Sequence, residues 1–443
     1  MKNHPIRLGA LLLALLLLSG CASQTPSKPT AQATASAVPK AAASAVPQAA
    51  NLPEGAQLLA WQGDVAWYLD VTGLYGLINR DGTILAKPAY AMVYPFVNGC
   101  AVVSRHTDEY GYLNLKGELV IPMVYWQASP MSPEGVATAE KAVKDGGMFD
   151  PNNAIEVVSS GGQVLASFPT NSETLLPFRD GMTVIKGDSY FAVNAQGQVI
   201  AENYTFLNPF RGGWASGQPK GSDAMGIVDS AGSFLAVPGV DDIRSHGEGL
   251  FAVRAGGLYG YVDTSGKTVI PPQWEDAFPF SDGMAIVKKN GLYGYIDKTG
   301  KVVVDINWDY ASDFSKGLAV VGNSGSRQHR PYFIIDKSGA TVAGPLQFQD
   351  CDVMRVSGFL GDHAMVYLVA LNTNESFEGS KRYGLIDRSG NLAFPLQKGP
   401  AGHYAGEYFI FGNALVNPRG EVVGKGDYHD MKESDFVRTY LRD

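Results

Sequence analysis

Apolar and polar residues alternate in short runs along this chain, and the runs return in a fixed order. The phrase "LYGYVDTSGKTVI", Leu258 to Ile270, comes back 34 residues later as "LYGYIDKTGKVVV", Leu292 to Val304. In each copy, two runs rich in Tyr, Val and Ile flank Asp-x-x-Gly, the pattern of two β-strands joined by a tight turn. With Gly260 and Gly294 as the reference, the phrase recurs at 76, 111, 156, 191, 226, 260, 294, 333, 384 and 414. Six residues beyond each reference stands a Gly. Three before that Gly stand Asn79, Asn114, Ser159, Asn194, Asp229, Asp263, Asp297, Asp336, Asp387 and Asn417. Short polar side chains of this kind bond their own backbone two residues on, and the Gly supplies a positive φ.

Downstream, each good copy continues with an aromatic, a small residue, a second aromatic and a Gly ahead of another alternating run. These are Trp274, Ala277, Phe280 and Gly283 before "MAIVKK", Trp308, Ala311, Phe314 and Gly317 before "LAVV", and Tyr90, Val93, Phe96 and Gly99 before "CAVV". A unit then holds a short extended piece (Trp274 to Phe280), a second strand (Met284 to Lys288), a third (Tyr259 to Val262, or Tyr293 to Ile296) and a fourth (Lys267 to Ile270). Four short antiparallel strands in a meander predict an all-β, β-propeller-like array of about ten units over residues 51–425, with an open β-solenoid as the alternative. The copies resemble the WG repeat, a bacterial β-repeat with an aromatic-Gly pair, an Ile-Asp-x-x-Gly-Lys turn and a later Phe-x-x-Gly. The resemblance runs from about Leu74 to Val423 and is closest at Tyr75, Tyr110, Tyr259, Tyr293 and Tyr383, where Tyr replaces the usual Trp. Glu156, Phe191, Phe333 and Ala414 stand where the family has Gly. The resemblance implies a structural and binding module with no associated chemistry.

The ends follow different rules. Lys2 and Arg7 precede an apolar run, Leu8 to Leu18, that is shorter than the roughly 20 residues a membrane helix needs, so residues 1–20 are expected to be an export signal. The run ends in "LSGC", which resembles a bacterial lipoprotein cleavage box with Cys21 as the lipidated residue. Ala22 and Ser23 stand where an Asp would favour the inner membrane, so the outer membrane is the expected location, with the lipid as the membrane contact. Residues 21–50 are mostly Ala, Pro, Ser, Thr and Gln, with no aromatic and only Lys28 and Lys40 charged, and read as a tether. In the tail, 426–443, Phe436, Val437, Tyr440 and Leu441 have helical spacing.

Composition narrows the function. The 52 Gly and 25 Pro among 443 residues fit many turns and few long helices, and a net charge of −8 without a basic stripe argues against nucleic acid as a partner. The seven histidines show no metal-ligand spacing, and no G-x-S-x-G elbow occurs. Asp305, Asn307 and Asp309 imitate a calcium loop, but Tyr310 and Lys316 stand where it needs Gly and Glu. No cofactor or metal is expected. Cys100 and Cys351 are read as single buried thiols, in a strand slot and in the small-residue slot of Ala277 respectively.

These readings converge on a non-enzymatic, outer-membrane-anchored β-repeat scaffold that binds an envelope protein or polysaccharide. A glycan-active lyase or hydrolase and a purely structural spacer are the alternatives. The irregularities suggest where binding occurs. Where plain copies have "RAGG" or "KKNG", others carry "SRHTDE" from Ser104, "KAVKDGGMFDPN" from Lys141, "GNSGSRQHR" from Gly322 and "NTNESFEGSKR" from Asn372. One type of connection lies along one edge of a repeat array, so these insertions are expected to share a face. The candidate binding residues on it are His106, Lys144, Met148, Phe149, Arg327, His329, Arg330, Asn374, Phe377 and Arg382.

Overall fold

The computed structural model describes residues 52–425 apart from 107–108, 142–152, 170–174, 324–330, 372–374, 377–378, 399–402, 406–407, 412–413 and 418. The turns come first, because they set the register of everything else. Asp297 Oδ1 accepts the N–H groups of Thr299 at 2.9 Å and Lys301 at 3.1 Å and the Thr299 hydroxyl at 2.6 Å. The same pair of backbone bonds recurs at Asn114, Asn194, Asp229, Asp263, Asp336, Asp387 and Asn417. All ten turn glycines have φ between 77° and 89°. The polar column is therefore a column of turn caps.

Each turn joins the third and fourth strands of an antiparallel meander. The seventh unit is typical: Asp276–Ala277, Met284–Lys289, Leu292–Asp297 and Val302–Trp308, hydrogen-bonded in that order. Third strands mark the ten units at Tyr75–Asn79, Tyr110–Asn114, Ala154–Ser159, Tyr190–Asn194, Gly226–Asp229, Leu258–Asp263, Leu292–Asp297, Tyr332–Asp336, Lys381–Ile386 and Ala414–Val416. The fourth and fifth units share a six-stranded sheet, because Val199–Leu207 pairs with Tyr190–Asn194 on one side and Trp214–Pro219 on the other.

Two expectations need correction. Trp274 ends the fourth strand, Thr268–Trp274, and does not begin the next unit. The strand reaches that far because it bulges: Tyr261 faces Ile270 but Tyr259 faces Trp274. Gly260 sits under the bulge, and a Cβ there would lie 2.4 Å from the Ile270 carbonyl oxygen and 2.6 Å from the Pro272 nitrogen. Where Glu156 replaces this Gly, the facing strand runs straight past it, with Glu156 opposite Ser167. Where Phe333 replaces it, the residue just past the facing strand Thr341–Ala343 is Gly344, whose Cβ would meet the Phe333 Cα at 2.9 Å. The second correction concerns Cys351. It begins a ten-residue first strand, Cys351–Leu360, and is only half-buried, whereas buried Phe359 comes just before the turn to the second strand. Counting back from Phe359 as from Phe280 puts Val356 in the small slot. Cys100 is buried as expected, and both thiols are free.

Successive units pack face to face. Met284, Ile286 and Tyr295 of the seventh meet Phe314, Ala319, Val321 and Ile335 of the eighth, and each fully buried apolar side chain of this size contributes about 1.5–3 kcal/mol. A buried polar tip crosses the same boundary: Tyr295 donates to the Ser312 carbonyl at 2.7 Å, as Tyr261 does to Phe278 at 2.8 Å and Tyr112 to Ser129 at 2.8 Å. The two ends of the array are joined. Ala60 N–H donates to the Val422 carbonyl at 3.0 Å, and Gln62 donates through Nε2 to Val423 O at 3.3 Å while its Oε1 accepts from Phe96 N–H at 2.7 Å. Gln62 thus ties the tenth unit to the first two.

Candidate binding edge

The connection between second and third strands has a minimal form. Gly256–Gly257 has φ of 60° and 84° and Asn290–Gly291 has φ of 51° and 79°, the two-residue hairpin that matches strand twist. In the seventh unit the Glu275 carboxylate accepts from Asn290 N–H at 2.7 Å and Gly291 N–H at 3.0 Å. The four long segments take the same topological place. They join Cys100–Ser104 to Tyr110–Asn114, Val136–Lys141 to Ala154–Ser159, Leu318–Gly322 to Tyr332–Asp336, and His363–Ala370 to Lys381–Ile386.

Of the candidate residues, Lys144, Met148, Phe149, Arg327, His329, Arg330, Asn374 and Phe377 lie outside the described residues, as do Cys21 and the 426–443 tail. His106 is exposed, and its carbonyl accepts a hydrogen bond from the Ser104 hydroxyl. Arg382 is tied into its own connection: it donates to Glu375 Oε2 at 2.8 Å, Gly379 O at 2.7 Å and Lys381 O at 2.9 Å. It organises the base of that loop.

Beside these connections lies a set of contacts that the sequence reading missed. The Tyr of the aromatic-Gly pair faces a cation directly across the hairpin: Lys288 opposite Tyr293, 5.1 Å from the ring centroid, and Arg254 opposite Tyr259, at 6.0 Å. Lys186 and Tyr190 form a third such pair at 5.7 Å. Arg244 lies over the rings of Tyr259 at 4.3 Å and Phe278 at 5.0 Å and pairs with Asp276 at 2.7 Å. The signal was present as the Lys or Arg that opens the minimal turns "KKNG" at Lys288 and "RAGG" at Arg254. Between the second and third units, Tyr125 donates to Glu156 Oε2 at 2.6 Å; burial pushes the Tyr125 hydroxyl pKa up, and the Glu156 bond and charge push it further. Among the described residues no group of three or more His, Cys, Asp or Glu is placed to hold a metal ion.

Sequence comparison finds the repeat independently. A family model described as the WG containing repeat matches residues 75–105, 110–142, 259–293 and 293–325. Each match begins in a third strand, so one sequence repeat supplies the third and fourth strands of one unit and the first and second strands of the next. No curated protein sequence matches the chain. Among solved structures, one described as a crystal structure of the eukaryotic initiation factor is 12% identical, with a TM-score of 0.48 over 76% of this chain and 96% of its own. BamB from Moraxella catarrhalis is 10% identical, with a TM-score of 0.34 over 75% of this chain and 95% of its own. The tricorn protease is 12% identical, with a TM-score of 0.25 over 76% of this chain and 44% of its own. The family model and the strand order agree in two stretches: the chain carries WG-type repeats over residues 75–142 and 259–325.

Proposed function

We propose that this protein is a non-enzymatic β-repeat scaffold, held at the outer membrane by lipid on Cys21, that binds an envelope protein or polysaccharide through its second-to-third-strand edge. The observation that carries the reading is the shared position of the four long segments, each of which interrupts the same hairpin of its unit. The repeats build a rigid frame, and variation concentrated in one type of connection is how such frames acquire partners. The sequences of the four segments supply both apolar residues, such as Met148 and Phe149, and cations, such as Lys144, Arg327 and Arg330, a composition that suits a mixed polar and apolar partner surface.

Two experiments separate anchoring from binding. Cys21→Ser should release the protein from the membrane fraction; unchanged sedimentation with membranes refutes the lipid anchor. Replacing each long connection by Asn-Gly should preserve the melting transition and weaken crosslinking to the partner in intact envelopes. Undiminished crosslinking after all four replacements refutes the edge assignment.

A further inference from the structure

The Phe-x-x-Gly column contains an exception. Phe96, Phe178, Phe210, Phe280 and Phe314 each stand three residues before a turn Gly, whereas the sixth unit has His246 before Gly249. The imidazole is 7% exposed, packs on Phe251 at 5.0 Å between ring centroids, and accepts the Gly249 N–H on Nε2 at 2.8 Å.

Neighbouring turns are held differently. The Glu248 carboxylate accepts the Gly283 N–H at 3.0 and 3.1 Å, Asp282 accepts that of Gly317, and Asp180 Oδ2 accepts that of Gly212 at 2.6 Å. In each case an acid of one unit clasps the turn of the next. Lysines reinforce two of the clasps, Lys298 to Glu248 at 3.1 Å and Lys337 to Asp282 at 2.7 Å. The three acids share one left-handed backbone position, with φ of 51°, 51° and 54° for Asp180, Glu248 and Asp282. The matching residue of the fifth unit is Gly212, φ 55°, which has no side chain to offer to the sixth. His246 fills that space: a Cβ on Gly212 would lie 3.5 Å from its Cε1.

The exchange matters because a carboxylate accepts hydrogen bonds through mild acid, whereas Nε2 accepts only while the ring is neutral. The charges facing the ring are Asp180 and Arg211 from the fourth and fifth units, Lys298 from the seventh, and Glu248 in its own turn. Burial, above all, opposes the imidazolium, as do Arg211 and Lys298; the Arg211 backbone bond and Asp180 favour it, and the balance holds the pKa below the ordinary 6.5.

We infer that the junction between the fifth and sixth units is an acid-sensitive seam: protonation of His246 removes the acceptor of the Gly249 N–H and loosens the turn that carries Glu248, the clasp on the seventh unit. The sign follows from linkage. The folded state binds this proton less readily than the unfolded state, so the stability contribution is complete above about pH 6.5, and the contact itself is lost as the pH falls through the lower folded-state value.

The test is amide exchange of the full chain in steps from about pH 7.5 to about pH 4.5, each corrected for intrinsic rate, with Gly317 as the internal reference. Gly249 protection should fall about fivefold or more relative to Gly317, the size expected for one buried hydrogen bond. His246→Gln keeps an acceptor that does not titrate and should abolish the loss. The double variant Gly212→Asp with His246→Phe rebuilds the junction found elsewhere and should abolish it too. An unchanged Gly249 to Gly317 ratio in the wild type overturns the inference, as does an equal loss in His246→Gln.

Discussion

Gly232 shows how much one residue of the repeat has to satisfy. Its φ is +83°, and a Cβ would come within 1.7 Å of the Ile200 carbonyl oxygen in the preceding unit. Gly283 has φ +78° but open space around the Cβ position. Ala at 283 should cost only the left-handed penalty of about 1–2 kcal/mol. Ala at 232 should cost clearly more, because backbone of two units must separate. Melting temperatures check this, and equal losses contradict the junction geometry. The polar cap beside these glycines makes a second prediction. Hydrogen bonds from Ser265, Thr299 and Ser338 hold the carboxyls of Asp263, Asp297 and Asp336 below their ordinary 3.8. Their contribution is complete above that value and fades as pH falls through the folded-state values, so Asp297→Asn should flatten the melting curve below about pH 4 while costing less than Asp297→Ala at neutrality. The cap was legible from sequence because its chemistry is local. The second duty of Gly232, lying against another unit, needs distances that no spacing reveals.

At the scale of strands, the third unit tests the bulge. Glu156 stands in the Gly column, its strand partner runs straight, and its carboxylate takes the Tyr125 hydroxyl. Glu156→Ala should leave that buried hydroxyl unpaired and cost about 1–3 kcal/mol, whereas Glu156→Gln keeps an acceptor and should cost less. Chemical denaturation of the two variants checks the order, and a reversed order refutes the assigned bond. Four-strand units were readable because alternation, turn and Gly recur together. The exact edges were not. The bulge over Gly260 carries the strand on to Trp274, which looked like the next beginning, and in the ninth unit a lengthened first strand displaced Cys351 from its expected slot. The shared sheet of the fourth and fifth units was hidden for a similar reason: Val199–Leu207 is one uninterrupted strand where two were expected.

For the molecule as a whole, the sequence left propeller and open solenoid unresolved, because both repeat the same local pattern. The backbone bond from Ala60 to Val422 and the bridging by Gln62 settle how the ends meet. Gln62→Ala should therefore raise amide exchange in Ala414–Val416 and Val422–Lys425 while leaving Leu292–Asp297 unchanged; uniform exchange throughout contradicts a joined seam. With the ends joined, the functional question is which edge meets the partner. A photo-crosslinking residue placed singly at His106 and Arg382, on the second-to-third-strand edge, and at Thr299 and Ser338, in the turns between third and fourth strands, addresses it in intact envelopes. The scaffold account predicts that the same partner is captured from the first pair and not from the second. Equal capture from both pairs, or capture from Thr299 and Ser338 alone, contradicts it.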